Sequence, residues 1–259
     1  MSNKKIYIVI GVFFLSFAIL IGILAYWKFH KRVISKGNNR HQNIEWPSKD
    51  LMKGKKYDDA FDGIDISEHQ GRIHWEIMDS KHRSPKFIYA RVMGKQAKID
   101  PEYHNIVNAA HSKNIPVGSY IFFSHDLFVN EQYQLILQHL DSERQDLRPM
   151  IDVESESISR SSTLHLTDSV LAFASLLHKK YGVKPLIYSN QNFYETYLSP
   201  QLDSFPLWIA NYSRKPTMKN VRPIIWQYSE KGRVHGFWTN VDLDIFINGG
   251  CLQDLMLKN

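Results

Sequence analysis

The segment PMIDVE, residues 149–154, alternates acidic and aliphatic side chains. Successive side chains of a strand point to opposite faces, so the pattern predicts Asp152 and Glu154 on one face and Ile151 and Val153 on the other. Two carboxylates held together disfavour double ionisation, which keeps a proton on one of them near neutral pH, as a general acid requires. The motif indicates a hydrolase. On this motif alone, a strand that ends in a solvated acidic turn is an equal alternative.

Two other segments repeat the pattern. GIDIS, residues 63–67, places Asp65 on the face opposite its isoleucine neighbours. VDLDIF, residues 241–246, places Asp242 and Asp244 on one face and the apolar residues on the other. Three such strands, far apart along the chain, predict one shared acidic pocket.

The alternation of strands and helices predicts an α/β fold, a TIM-like barrel with an incomplete helical ring. A helix over residues 101–113 follows Asp100 as a cap, and another over 167–181 stops at Gly182. Only a short helix fits around residues 193–198, and later gaps lack helical periodicity, so the last strands are joined mainly by loops. The strand-like runs lie at 61–66, 87–92, 116–122, 149–153, 185–188, 206–210, 224–228 and 241–245.

In such barrels the reactive groups lie at the C-terminal ends of the strands. The sequence predicts that Asp65, Asp152, Glu154 and Asp242 all occupy strand ends of this kind.

The N-terminal part predicts a membrane anchor. After a short tail of residues 1–5, residues 6–27 are uncharged and almost wholly apolar, about 22 residues, enough to span a hydrocarbon core of roughly 30 Å. The end of this segment is a poor cleavage site, which favours an uncleaved anchor over a signal peptide. Residues 28–58 are interpreted as a basic tether and residues 59–259 as the folded domain. The single cysteine, Cys251, excludes an intrachain disulfide.

The net positive charge comes from the N-terminal part of the chain. Residues 1–58 carry 11 Lys and Arg against 3 acids, a net +8, whereas the remainder carries 21 against 23, a net −2. A nucleic-acid-binding domain needs a basic folded face, so that class is excluded, and the basic tether suits anionic headgroups or an anionic wall polymer. No His or Cys cluster has metal-ligand spacing and no Gly-rich phosphate loop occurs, so no metal and no cofactor are expected.

The motifs occur in the order typical of one enzyme family. In these motifs, the chain from about Phe61 to Gly249 resembles glycoside hydrolase family 25, the muramidases that act as bacterial and phage lysozymes. The resemblance implies a barrel of five βα units followed by three strands, and cleavage of the β-1,4 bond between N-acetylmuramic acid and N-acetylglucosamine in peptidoglycan. The motifs are GIDISEHQG at 63–71, IDPEYHNIVNAAHSKNIPVGSYIFF at 99–123, PMIDVE at 149–154, LIYSNQNF at 186–193, PLWIANY at 206–212, IIWQYS at 224–229 and VDLDIF at 241–246.

The resemblance also implies roles for the acids. Glu154 is similar to the general acid of the family, and Asp152 to the neighbour that orients or polarises the substrate acetamido group. Asp65 and Asp242 resemble the remaining acidic members of the site. The spacing of Asp152 and Glu154 suits participation by the acetamido group, and direct inversion through water stays open.

Aromatic side chains are expected to form the sugar platform, because flat ring faces match the C–H face of a pyranose. Core packing is the alternative for each of them. His69 and Gln70 are expected to organise the turn after Asp65. The candidates for substrate binding are Tyr120, Tyr188, Trp208 and Trp226, with Gln227 as a polar contact.

Substrate location sets the expected topology. The flanking charges alone favour a cytoplasmic domain, but peptidoglycan lies outside the cytoplasmic membrane. The expectation is therefore a single-pass protein of the cytoplasmic membrane with its domain facing the periplasm or cell wall. Two alternatives stay open at this point: a glycan-binding module without turnover, and a chitinase-like amino-sugar hydrolase.

Overall fold

The eight predicted strands form one closed barrel in the order β1 to β8. A computed structural model describes residues 56–78, 84–158 and 165–257. Each observed strand overlaps the run predicted for it, so the barrel is confirmed. The strands are β1 Gly63–Ile66, β2 Phe87–Met93, β3 Val117–Phe122, β4 Met150–Asp152, β5 Leu186–Asn190, β6 Leu207–Ala210, β7 Ile225–Gly232 and β8 Val241–Phe246.

The direction of β8 corrects one expectation. Strands β1 to β7 pair in parallel, but β8 runs antiparallel to both β7 and β1. Asp242 is the second residue of β8 and therefore lies at its N-terminal end, not at a C-terminal end. Because β8 is reversed, this end lies at the same rim as the C-terminal ends of the other strands, and Asp242 pairs with Asp65 across β1 and β8.

The helical ring is incomplete, as predicted. Helices follow β2 to β5: α1 Tyr103–Ser112, α2 Val129–His139, α3 Leu166–Tyr181 and the short α4 Gln191–Phe193, which continues into a π-turn, Tyr194–Leu198. A last short helix, α5 Leu252–Leu255, follows β8. The described residues between β1 and β2 contain only a 3₁₀ turn, Glu68–Gln70, so a helix in a first βα unit is not observed there.

The start of α1 and the end of α3 can be compared with the predicted helix ends. The predicted cap, Asp100, accepts a hydrogen bond from the Glu102 amide at 2.9 Å, but α1 begins later than predicted, at Tyr103, and its N-cap residue is Glu102, which makes no side-chain capping hydrogen bond. Helix α3 ends at Gly182, whose φ of 72° is the left-handed conformation that glycine adopts without steric cost. Helix α2 was not predicted from the sequence.

Two apolar layers follow from the alternation of side chains along the strands. The outward-facing Ile151 and Val153 pack, with their counterparts on other strands, against the helices. The inward-facing Met150 belongs to a separate cluster that fills the barrel. Asp152 and Glu154 therefore share the inner, rim-facing side, as the alternation predicts.

Aromatic rings close the lower part of the barrel. The Trp208 ring lies edge-on to Phe87 and Tyr89, with centroids 6.1 and 5.1 Å away, and to Tyr188 at 5.9 Å. Gly63 is required here, since a Cβ atom at this position would lie 2.1 Å from the Phe87 ring. The dense packing leaves the polar cavity at the rim, above the rings.

The predicted membrane segment, residues 6–27, and nearly all of the tether lie outside the described residues. Within the described ranges, no helix combines the length and the apolar character that crossing a bilayer requires.

Candidate active site

The four predicted acids meet at the rim of the barrel. A cavity of about 170 Å³, here called the acid well, is lined by all four carboxyl groups. It also contains Met150 at its base and three tyrosines on its walls. The residues that line the well are Asp65, Tyr120, Met150, Asp152, Glu154, Tyr188, Tyr212, Glu230 and Asp242.

A wider groove opens from the well toward the ends of β1, β2 and β3. This main groove has a volume of about 660 Å³ and shares Asp152, Glu154 and Asp242 with the well. Its other walls carry charged side chains, which makes it suited to a polar polymer. The charged side chains are those of Glu68, Arg91, Lys95, Lys98 and Glu230, and the rest of the lining comes from His69, Gly94, Tyr120 and Phe122.

Gln227 holds Asp65 in place. Its Nε2 donates to Asp65 Oδ2 at 2.7 Å, while its Oε1 accepts from the hydroxyls of Tyr188 at 2.8 Å and Tyr212 at 2.7 Å. A hydrogen bond also joins Asp65 to Asp242. Asp65 is only 7 % exposed, and this burial, followed by the charge of Asp242, raises the pKa of its carboxyl well above the ordinary value. Gln227 is thus a buried support for Asp65, and its contacts are with protein.

The Asp152 carboxyl has an oxygen with no protein partner. Within the described part of the chain, Asp152 Oδ1 is buried and receives no hydrogen bond. Burial, followed by the charge of Glu154, raises the pKa of Asp152 well above its usual range. A buried acceptor of this kind is costly unless a ligand donates to it.

Glu154 lies beside a lysine. Its Oε2 is 3.9 Å from the Nζ of Lys95, which itself pairs with Glu156 Oε1 at 2.6 Å. Burial raises the pKa of Glu154, Lys95 opposes the rise, and the charge of Glu156 adds to it. From the sequence, neighbouring negative charge was expected to raise the pKa of Glu154. In the structure, burial is the larger cause.

The pKa of Asp242 is also raised. Burial, followed by the charge of Glu230, raises the pKa of Asp242 to about 6. The pKa values of Asp65, Asp152 and Glu154 are raised as well, because burial and nearby negative charge make simultaneous ionisation of all four acids in one small cavity unfavourable.

An ion-pair network fixes the loop after β1. Arg91 donates to Asp100 Oδ2 at 2.8 Å and to Glu68 Oε1 at 3.2 Å, and Lys98 binds Glu68 at 2.8 Å. Gln70 accepts a hydrogen bond from the Ser67 amide at 2.8 Å, so its predicted role in the turn is confirmed.

The predicted sugar-binding aromatics divide into two pairs. Tyr120 and Tyr188 line the acid well, as the prediction requires. Trp208 has no exposed surface and donates to Asp244 Oδ1 at 3.0 Å, so it cannot present a ring to a sugar. Trp226 alternates with inward-facing neighbours on β7 and therefore lies on the outer face, where its Nε1 donates to the Asn211 carbonyl at 2.7 Å. Neither tryptophan lines the well or the main groove.

Sequence reasoning overlooked three residues of the site: Tyr212, Glu230 and Lys95. Tyr212 ends the PLWIANY motif and Glu230 follows IIWQYS, so their positions after strand motifs were a usable signal. No pattern marks Lys95, because its place beside Glu154 depends on a contact between β2 and β4 loops. Among the described residues, no group of His, Cys, Asp and Glu is arranged to hold a metal ion.

Comparison with known proteins identifies the family. Residues 64–237 match the model for glycosyl hydrolases family 25. The chain belongs to glycoside hydrolase family 25. The range matched by the family 25 model contains Asp65, Asp152 and Glu154 and ends before Asp242, so Asp242 joins the site on geometry.

Sequence relatives of this family 25 domain are distant. YegX of Escherichia coli K12 is 29% identical over 198 residues, which cover 74% of this chain and 71% of YegX. The autolytic lysozyme of Clostridium acetobutylicum is 27% identical over 193 residues, covering 72% of this chain and 56% of that protein.

Solved structures of a lysozyme and of a family 25 glycosyl hydrolase share the fold. The bacterial lysozyme from Streptomyces coelicolor superimposes with a TM-score of 0.63 at 22% identity, covering 74% of this chain and 93% of that one. A family 25 glycosyl hydrolase from Bacillus anthracis gives 0.64 at 23% identity, covering 77% and 94%. The resemblance to family 25 is therefore confirmed, together with the eight-stranded barrel.

Proposed function

We propose that this chain is a muramidase that cleaves the β-1,4 bond between N-acetylmuramic acid and N-acetylglucosamine in peptidoglycan. The observation that carries the proposal is the convergence of Asp65, Asp152, Glu154 and Asp242 in one well beside an open groove. Membership of family 25 supports glycoside hydrolysis, and the lysozyme names of its relatives support the substrate class.

Glu154 is the proposed general acid. It lines both the well and the main groove, which places its carboxyl at the point where a bound glycan would pass. Its raised pKa favours the protonated form. As the glycosidic C–O bond breaks, Glu154 gives its proton to the leaving oxygen, and positive charge develops at the anomeric carbon of the muramic acid unit.

Asp152 is the proposed partner of the substrate acetamido group. Its unpaired Oδ1 is suited to accept a hydrogen bond from the acetamido N–H, which makes the carbonyl oxygen of that group a better nucleophile toward the anomeric carbon. The pair of Asp65 and Asp242, held together across β1 and β8, keeps negative charge beside the developing cation at neutral pH, because the pKa of Asp242 is about 6.

Product analysis tests the proposal. Purified peptidoglycan is digested with the wild type, with Glu154→Gln and with Glu143→Gln, a control at an exposed glutamate in a 3₁₀ turn away from the well. We expect Glu154→Gln to lower the release of reducing ends by about 10²–10⁴-fold and the control to match the wild type. Equal release by Glu154→Gln would refute the assignment of the acid.

Mass spectrometry of the products separates the remaining alternatives. A new reducing end on muramic acid supports the muramidase, and one on glucosamine supports a chitinase-like or glucosaminidase reaction. Retention of the domain on peptidoglycan without any release would identify a glycan-binding module.

The proposed location is outside the cytoplasmic membrane, with residues 6–27 as the anchor. The support is the site of the substrate and the apolar length of that segment. Protease added to intact spheroplasts is expected to degrade the domain; complete protection, with degradation after lysis, would contradict the topology.

A further inference from the structure

A second cleft begins on the other side of Glu154. This far cleft has a volume of about 520 Å³ and adjoins the ends of β4 and β5. Glu154 lines both the far cleft and the acid well, whereas Asp65, Asp152 and Asp242 line only the well and its groove. The residues that line the far cleft are Glu154, Ser155, Glu156, Asn190, Asn192, Phe193, Thr196 and Tyr197.

Because Glu154 lies between the acid well and the far cleft, the two cavities would bind the sugars on opposite sides of the scissile bond. The acids that stabilise the developing cation must face the sugar that carries it, and they face the well. The general acid must contact the oxygen between that sugar and the next one. A cavity that contains Glu154 and none of the other three acids therefore lies where the departing sugar would bind.

The lining of the far cleft has the chemistry of a neutral sugar site. Tyr197 is 43 % exposed, and its ring packs against Phe193 with centroids 4.9 Å apart. This contact restrains the ring at little entropic cost, and a flat aromatic face matches the C–H face of a pyranose. Asn190, Asn192 and Thr196 surround it with amide and hydroxyl groups. Tyr197 belongs to the π-turn after α4, a backbone feature that is frequent at functional sites.

The main groove and the far cleft differ in charge. Arg91, Lys95 and Lys98 line the main groove, whereas no lysine or arginine lines the far cleft in the described part of the chain. The far cleft contains two carboxyl groups, that of the proposed acid Glu154 and that of Glu156, whose pKa is lowered to about 2 by its hydrogen bond from Lys95. This ion pair leaves the far cleft, within the described part of the chain, with no unpaired cation to attract a carboxylate. The muramic acid unit, which carries a lactyl carboxylate or a peptide, therefore suits the main groove, and the uncharged N-acetylglucosamine suits the far cleft.

We infer that the far cleft is the leaving-group subsite and binds N-acetylglucosamine, with Tyr197 as the ring platform. The inference rests on the proposed muramidase activity and adds to it the residues that recognise the departing sugar and the direction of the glycan strand across the barrel.

Two substrates with the same donor test this inference. The first is the tetrasaccharide of alternating N-acetylglucosamine and N-acetylmuramic acid, in which a sugar departs. The second joins the same donor disaccharide to a methylumbelliferyl group, which lacks the sugar. We expect Tyr197→Ala to lower kcat/KM about tenfold for the tetrasaccharide and less than about twofold for the aryl glycoside, because only the first substrate fills the subsite.

Two control variants separate the loss of the Tyr197 ring from other effects of substitution. Tyr197→Phe keeps the ring and is expected to retain activity on both substrates. Phe128→Ala removes an 81 % exposed ring outside the three cavities described here, and neither rate is expected to change. Thermal melts establish that all three variants fold.

The outcomes separate the inference from the proposed function. An equal loss on both substrates, or no loss on the tetrasaccharide, overturns the subsite while the wild type still cleaves. Failure of the folded wild type to cleave either substrate overturns the muramidase proposal and the subsite with it.

Discussion

Replacing Lys95 with methionine is expected to extend activity toward higher pH. Lys95 Nζ lies 3.9 Å from Glu154 Oε2 and favours the ionised carboxylate, which cannot donate a proton. Methionine keeps much of the side-chain length and removes the charge. The pKa of Glu154 then rises, more of the enzyme carries the catalytic proton at a given alkaline pH, and the alkaline limb of the kcat profile moves upward.

The size of the shift follows from the separation of the charges. Two unit charges about 4 Å apart interact by about 1 kcal/mol in bulk water and by about 4 kcal/mol at an effective dielectric constant of about 20. The side chains of Lys95 and Glu154 are 53% and 31% exposed, and Lys95 pairs more closely with Glu156, so the lower value applies. About 1 kcal/mol corresponds to roughly 0.7 pKa units. We expect a shift of the limb by about 0.5 to 1 unit.

Two further variants test the direction in which the alkaline limb moves. Lys98→Met removes another cation of the main groove, one that binds Glu68 at 2.8 Å, and the limb is expected to stay in place. Glu156→Gln removes a negative charge and releases Lys95 toward Glu154, so the limb is expected to move to lower pH. The assay is kcat against pH on soluble peptidoglycan fragments. A downward shift in Lys95→Met, or equal shifts in Lys95→Met and Lys98→Met, would refute the assignment of Glu154 as the titrating acid.

Three other predictions concern the support of the site. Burial, followed by the charge of Asp65, raises the pKa of Asp244 in the folded state, so the stability linked to its protonation is complete below the unfolded pKa of about 4 and is lost as pH rises through the folded pKa. The melting temperature of Asp244→Asn should therefore exceed that of the wild type by an amount that grows from pH 5 to 9. A difference that does not change with pH would contradict a buried proton on Asp244. Gly63→Ala should lower the free energy of unfolding by about 1–3 kcal/mol through its clash with Phe87, as measured by urea denaturation, and an unchanged midpoint would show that the ring can move aside. Gln227→Met should lower kcat/KM about tenfold and destabilise the fold by about 1–3 kcal/mol, because Asp65 loses its buried donor; wild-type kinetics would show that this hydrogen bond is dispensable.

The local pattern of the chain predicted much of the fold. Alternation along β4 indicated which face Asp152 and Glu154 share, and the structure has them on it. The eight strands and the glycine stop of α3 were also predicted, because strand period and the conformational freedom of glycine act over a few residues. Membership of family 25 was recognised from the order of the motifs.

Contacts between distant segments decided the rest. The reversed direction of β8 brings the N-terminal end of that strand, and Asp242 with it, to the rim that holds the acid well. Closure of the barrel buries Trp208 and turns Trp226 outward, although both look like sugar platforms in the sequence. Lys95 reaches Glu154 only because the loops after β2 and β4 converge. Residue spacing records the local backbone period, but strand direction and burial depend on how the whole sheet closes, so these features are determined only in the folded barrel.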